Sequence, residues 1–146
     1  MLPPHRLAWI VGTVSFDVFL QRFNHGDATD VEERAVRALL DPHVVRVDLD
    51  HGFARLVFGD GEADLYGWTT LTRGFMVNHV SGTDPWRLLV DVARAANLTV
   101  LPVGCPVSVT DAIALEHLPA ELRTAAVVLG TRDALLEVVT EARPAG

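Results

Sequence analysis

Between residues 43 and 68, polar and apolar positions alternate with few interruptions, and two turn signals divide the run. HVVRVDLD is followed by His51-Gly52, FARLVFG by Asp60-Gly61, and EADLYGW closes the stretch. A period of two marks half-buried strands, and Gly-containing pairs between such runs mark hairpins. Taken as two-residue turns, these pairs fix the registers. Asp48 then faces Arg55, Val47 faces Leu56 and Val45 faces Phe58; in the second hairpin Phe58 faces Ala63, Val57 faces Asp64, Leu56 faces Leu65 and Arg55 faces Tyr66. Both registers agree on the two faces. Val45, Val47, Leu49, Ala54, Leu56, Phe58, Ala63 and Leu65 form the core side. Arg46, Asp48, Arg55, Val57, Glu62, Asp64, Tyr66 and, with the strand continued, Trp68 form the other. A slip of one residue would turn every side chain to the wrong face.

The pattern elsewhere predicts elements of both kinds. LAWIVGTVSFDVFLQRF (7–23) is β-rich, with Gly12-Thr13 as a hairpin turn or a bend in one long strand, and NHGD follows as a loop. Asp30 starts a helix with Glu33 in capping-box spacing; Val31, Ala35, Ala38 and Leu39 form its inner stripe, and DPH ends it. GFMVNHVSG (74–82) reads as a strand that is apolar on both faces until Asn78 and His79. Asp84 is placed to cap a helix with Pro85 at its first position, and the run from Trp86 to Ala96 is apolar almost all round, which predicts deep burial. A strand over Leu98–Val103, helical pieces broken near Pro119, a strand within AAVVLG (125–130) and a last helix capped by Thr131 complete the chain. That last helix turns Leu135, Val138, Val139 and Ala142 inward. The expected fold class is α+β: an antiparallel meander followed by alternating helices and strands, in one domain spanning 1–146.

Composition adds limits. The 146 residues are 49% hydrophobic and 21% charged, which suits one globular domain with its own core. The net charge of −7 argues against a nucleic-acid partner, whose phosphates require a basic surface, and is compatible with a basic protein partner. One cysteine makes no intramolecular disulfide, so a reducing, cytoplasmic setting is expected. Arg6 followed by the apolar Leu7–Val14 run faintly resembles a secretion signal, but the run is short and SFDVFLQRF offers no small-x-small cleavage site. No stretch approaches the roughly 20 apolar residues that span a bilayer.

Candidate chemistry is sparse. Cys105, in VGCPV, follows a strand that itself follows a helix, a place where α/β sheets put reactive groups. With His79 as base it would make a small cysteine-dependent enzyme; a packed thiol beside a turn is the competing reading and the preferred one. The six histidines show neither HExxH nor Cys/His knuckle spacing, and GDGEAD lacks the ligand spacing of a calcium loop, so no metal and no cofactor is expected. The outer meander face carries more. Arg55, Tyr66 and Trp68 are residue types enriched at interface hot spots, and Asp48, Glu62 and Asp64 surround them with charge.

The order RFNHGD, short helix, DHGFARLVFGDGEADLYG, GFMVNHVSG and DPWRLLVDVARAANLTVLPVG, from Phe23 to Gly104, resembles small bacterial α+β proteins, some of which serve as immunity partners of bacterial toxins. The resemblance implies a stoichiometric, cofactor-free role in binding another protein, with a basic toxin as the suited partner, and carries no catalytic residues with it. Pairing of an exposed strand edge with a second copy is a further expectation for a sheet of this kind.

Overall fold

Alternating strands bury one face only if something apolar lies against it, and here helices supply that layer. A computed structural model describes residues 13–14 and 17–142. In chain order the elements are β1 (Thr13–Val14), β2 (Val18–Asn24), β3 (Asp27–Thr29), α1 (Glu33–Leu40), β4 (Val44–Asp48), β5 (Phe53–Phe58), β6 (Gly61–Tyr66), β7 (Phe75–Asn78) and β8 (Val80–Ser81). They continue as α2 (Asp84–Ala96), β9 (Thr99–Pro102), β10 (Ser108–Val109), α3 (Ala112–Glu116), α4 (Ala120–Arg123), β11 (Val127–Val128) and α5 (Ala134–Glu141). The fold is α+β. One sheet runs in the order β11-β10-β9-β2-β7-β6-β5-β4, with β3 folded back on β2 and β1 paired separately with β8. Every pairing is antiparallel except β10 with β11. The hairpin turn or bend expected at Gly12-Thr13 and the signal-like run lie largely outside the described residues.

Helix α2 lies across β5 and β6, with α1 and α5 against its flanks. Its Trp86, Leu89, Val90 and Val92 meet Val18, Leu20, Ala54, Leu56, Ala63, Leu65 and Val77 in one buried cluster. Removal of this apolar surface from water is the main force holding the layers together. On its exposed flank α2 keeps Arg87 and Asp91, which reach Asp133 at 2.6 Å and Arg132 at 2.7 Å and tie it to the approach of α5.

The meander forms with the expected faces and different partners. Asp48 pairs with Phe53, not Arg55, Val47 with Ala54, not Leu56, and Arg55 with Asp64, not Tyr66. Both registers are shifted by two residues, and because the side-chain period is two the faces survive. The first shift arises because Leu49–His51 form a tight 3₁₀ turn, ended by Gly52 in the left-handed region, which makes the loop longer than two residues. The second arises because the turn is Gly59-Asp60, with Gly59 at φ +57 in the first central position that a type II′ turn reserves for glycine. A bulge at Val45 then brings Val44 opposite Leu56. Val45, Val47 and Leu49, expected in the core, are exposed, because β4 is the edge strand and the helices do not reach over it.

Other corrections share a cause, the entry points of helices. Helix α1 begins at Glu33, so Val36 and Leu40 are its buried residues, Ala38 is exposed, and Val31 is buried ahead of the helix with its amide on Thr72 O. No Asp30 capping box forms, since Glu32 is the capping residue and caps with no side chain. Asp133, not Thr131, stands at the cap of α5. The NHGD segment is a hairpin turn rather than an open loop: His25 (φ +50) and Gly26 (φ +86) join β2 to β3. Asp84 is the first residue of α2 rather than its cap.

The cap of α2 comes from the meander. The Asp60 carboxylate accepts from the amides of Thr83 at 3.0 Å and Asp84 at 2.8 Å, and Asp84 Oδ2 accepts from the Asp60 amide at 3.1 Å. Glycines let the segments meet: a Cβ on Gly59 would lie 2.0 Å from Asp84 Oδ2, and one on Gly61 1.8 Å from Ser81 O. The amides of Asp84 and Thr83 hold the Asp60 carboxyl below its ordinary value of 3.8. A depressed pKa stabilises the fold above the ordinary value, and the contribution is lost as pH falls through the folded one. In thermal melts over a pH series, the advantage of the wild type over Asp60→Asn is therefore expected at neutral pH and should fade below pH 3.8. A gap independent of pH would contradict this role.

Candidate functional site

The sheet face turned away from the helices is open, and cross-strand pairing orders it into rows. Leu101, Phe19, Met76, Tyr66, Phe53 and Asp48 follow one another across six strands. Beside them run Asn78, Asp64, Arg55 and Arg46, and then Glu62 with Val57. The inward neighbours of Phe19, Val18 and Leu20, are 0% and 1% exposed while Phe19 itself is 45% exposed, so the phenyl ring stands on the open side. Phe53 and Tyr66 pack at 5.4 Å between ring centroids, and Arg46 lies over Phe53 at 5.8 Å. Gly67 and Gly74 carry no side chains, and a depression of about 310 Å³ opens there, walled by Phe19, Tyr66 and Met76 with Arg73 alongside.

The charged row is a connected network. Asp64 is buried and its Oδ1 accepts from Arg55 Nε and a terminal guanidinium nitrogen, both at 3.0 Å; Arg55 also reaches Glu62 at 3.7 Å. His79 Nδ1 donates to Asp64 Oδ2 at 2.9 Å. His79 has φ +52, a left-handed conformation uncommon outside glycine, which turns the chain between β7 and β8 and aims the ring back at Asp64. Next to it, Asn78 donates to Asp17 at 3.3 Å while its buried Oδ1 meets no donor among the described residues. At the margin, Asp48 Oδ2 accepts from His51 Nδ1 at 2.9 Å, and this hydrogen bond holds the Asp48 carboxyl below its ordinary value.

Five of the six residues singled out as binding candidates are on this face: Arg55, Tyr66, Asp48, Glu62 and Asp64. Trp68 is not. Gly67, at φ +97, ends β6, and the chain enters a 3₁₀ segment that carries Trp68 inward to 6% exposure. There Arg37 of α1 stacks on the indole at 4.3 Å and donates to the Trp68 carbonyl at 2.9 Å. Phe19, Phe53, Met76 and Arg73 belong to the face and were missed. The signal for Met76 was present in FMVN, where apolar residues fall on both sides of the strand.

Cys105 and His79 occupy different settings. Cys105 closes a turn with its amide on Pro102 O at 3.0 Å and packs, half-buried, against the core. His79 follows β7 and Cys105 follows β9, strands separated by β2 and therefore by two strand spacings, about 10 Å. The His79–Asp64 pair has the geometry of an oriented base, yet it sits on an open surface, where water screens the charges that catalysis would use. Among the described residues no group of three or more His, Cys, Asp or Glu side chains is placed to hold a metal ion, and no helix is long and apolar enough to cross a membrane.

Compared with known proteins, the chain matches no family model, no curated protein and no solved structure.

Proposed function

We propose that the protein is a non-catalytic module that binds another protein through the open face of its sheet, in the manner of an immunity-type inhibitor of a bacterial toxin. The observation that carries this reading is the row Phe19–Met76–Tyr66–Phe53. An aromatic and thioether stripe lies on a rigid sheet beside a charged network, with a depression at its centre. Hot-spot residues of this type contribute most when they fill pockets at the middle of an interface. The depression takes an apolar anchor side chain of the partner, and Arg55, Asp64, Glu62 and Asp48 orient its polar surround. The net charge of −7 favours a basic partner, since opposite fields speed encounter, and the single cysteine suits the cytoplasm.

The test is affinity capture from the source cell with three baits: the wild type, Phe19→Glu and Arg94→Ala. Phe19 stands on the open face, whereas Arg94 is exposed on α2 in the helix layer. Arg55 is left unchanged, because its removal would take a partner from the buried Asp64. A stoichiometric partner retained by Arg94→Ala and weakened by Phe19→Glu about tenfold or more is the expected result. A partner that both variants retain equally would refute the face.

A further inference from the structure

Edge strands of a sheet direct half of their backbone amides and carbonyls away from the sheet, and proteins blunt such edges or pair them. Strand β4 is the last strand on its side of the sheet, with only β5 beside it among the described residues. It is not a polar edge: Val45, Val47 and Leu49, at every second position, are 62%, 42% and 68% exposed. Its two charged residues are unevenly matched. Arg46 stands directly opposite Arg55, a like charge already held by Asp64 and Glu62, and makes no ion pair among the described residues. Asp48 lies two residues along on the same face, bonded to the exposed His51.

This spacing is self-complementary. When two copies of the strand run antiparallel with Val47 on the two-fold axis, residues whose numbers are equally far from 47 meet. Arg46 then faces Asp48 of the partner subunit, twice by symmetry, and Val45 approaches Leu49 of the partner subunit. The register with Arg46 on the axis is disfavoured, since it sets two arginines against each other. We propose that β4 is a homodimer interface, pairing antiparallel with β4 of a second copy in the register that joins Arg46 to Asp48 across the two-fold axis. The interface is isologous, as closed dimers require. The regular ladder from Arg46 to Asp48 forms its centre, and the bulge at Val45 and the 3₁₀ turn at Leu49 limit its length. Pairing here extends the sheet and leaves the open face uncovered, so the two copies present their aromatic rows on one continuous surface.

Sedimentation equilibrium of the full chain tests the proposal through a charge swap. The wild type is expected to dimerise with concentration. Arg46→Asp and Asp48→Arg each place like charges opposite one another and should weaken the dimer about tenfold or more. Mixed together, the two variants restore both ion pairs and should associate as a heterodimer, and the double variant Arg46→Asp, Asp48→Arg should dimerise again. Far-ultraviolet circular dichroism of each variant checks that the fold is intact. A wild type that stays monomeric at its highest soluble concentration, single variants that dimerise unimpaired, or a mixture that fails to associate would each overturn the proposal.

Discussion

Trp86→Ala is expected to lower stability by about 3–5 kcal/mol, the usual cost of emptying a large aromatic site in a core. Trp86 is 0% exposed in the first turn of α2, where helix layer and sheet meet. Against a total of about 5–15 kcal/mol for a domain, the loss is a large fraction, and a chain of this length should melt about 10 °C lower or more. Trp86→Phe separates two contributions. The indole Nε1–H is buried without an acceptor among the described residues, and a donor in that state costs about 1–3 kcal/mol of lost hydration. Phenylalanine keeps most of the ring and deletes the donor, so its cost should be less than half that of alanine. Urea and thermal midpoints measure both; equal losses would contradict a packing role for the ring.

Gly61→Ala is the second large effect, and its cause is steric alone. A Cβ there would lie 1.8 Å from Ser81 O and 2.6 Å from its carbonyl carbon, which are backbone atoms with no rotamer to escape into. Overpacking of a rigid site costs about 1–3 kcal/mol and more when backbone must move. Here the movement also separates Asp60 from the start of α2, so about 3 kcal/mol or more is expected. Gly130→Ala is the control, because a Cβ there meets nothing within 4 Å and a surface change of that kind stays within about 0.5 kcal/mol. Similar melting temperatures for the two variants would show that β6 and β8 do not approach as closely as described.

The faces of the meander were legible in the chain, and its partners were not. GDG offers two glycine-containing pairs one residue apart, Gly59-Asp60 and Asp60-Gly61, and alternation alone does not choose between them. Closeness to Ser81 and Asp84 chooses, and those residues are some twenty positions away. The same contact explains why Asp84, a capping residue type ahead of Pro85, is not the cap: the carboxylate that caps α2 is Asp60, in another element. The cost of an edge was likewise invisible, since Val45, Val47 and Leu49 alternate as core residues do and only the reach of the helices leaves them exposed.

The open face of the sheet was readable in its charged half. Arg55, Asp64 and Glu62 announce an outward row because charges are seldom buried, although Asp64 is, under the guanidinium of Arg55. The apolar half was hidden for the opposite reason. In VFLQ and FMVN the outward Phe19 and Met76 are as apolar as their buried neighbours, so the strands read as covered on both sides. Trp68 misled because alternation carries through YGW, while Gly67 at φ +97 ends the strand and sends the indole beneath Arg37.

The measurement that tests the central claim most directly is hydroxyl-radical footprinting of the protein alone and in its captured complex, read at Phe19, Tyr66 and Met76 against Arg94 and Leu136 of the helix layer. Protection confined to the first three on complex formation is the result expected of a partner seated on the open sheet. Unchanged oxidation at those three, with protection appearing over the helices, would contradict it.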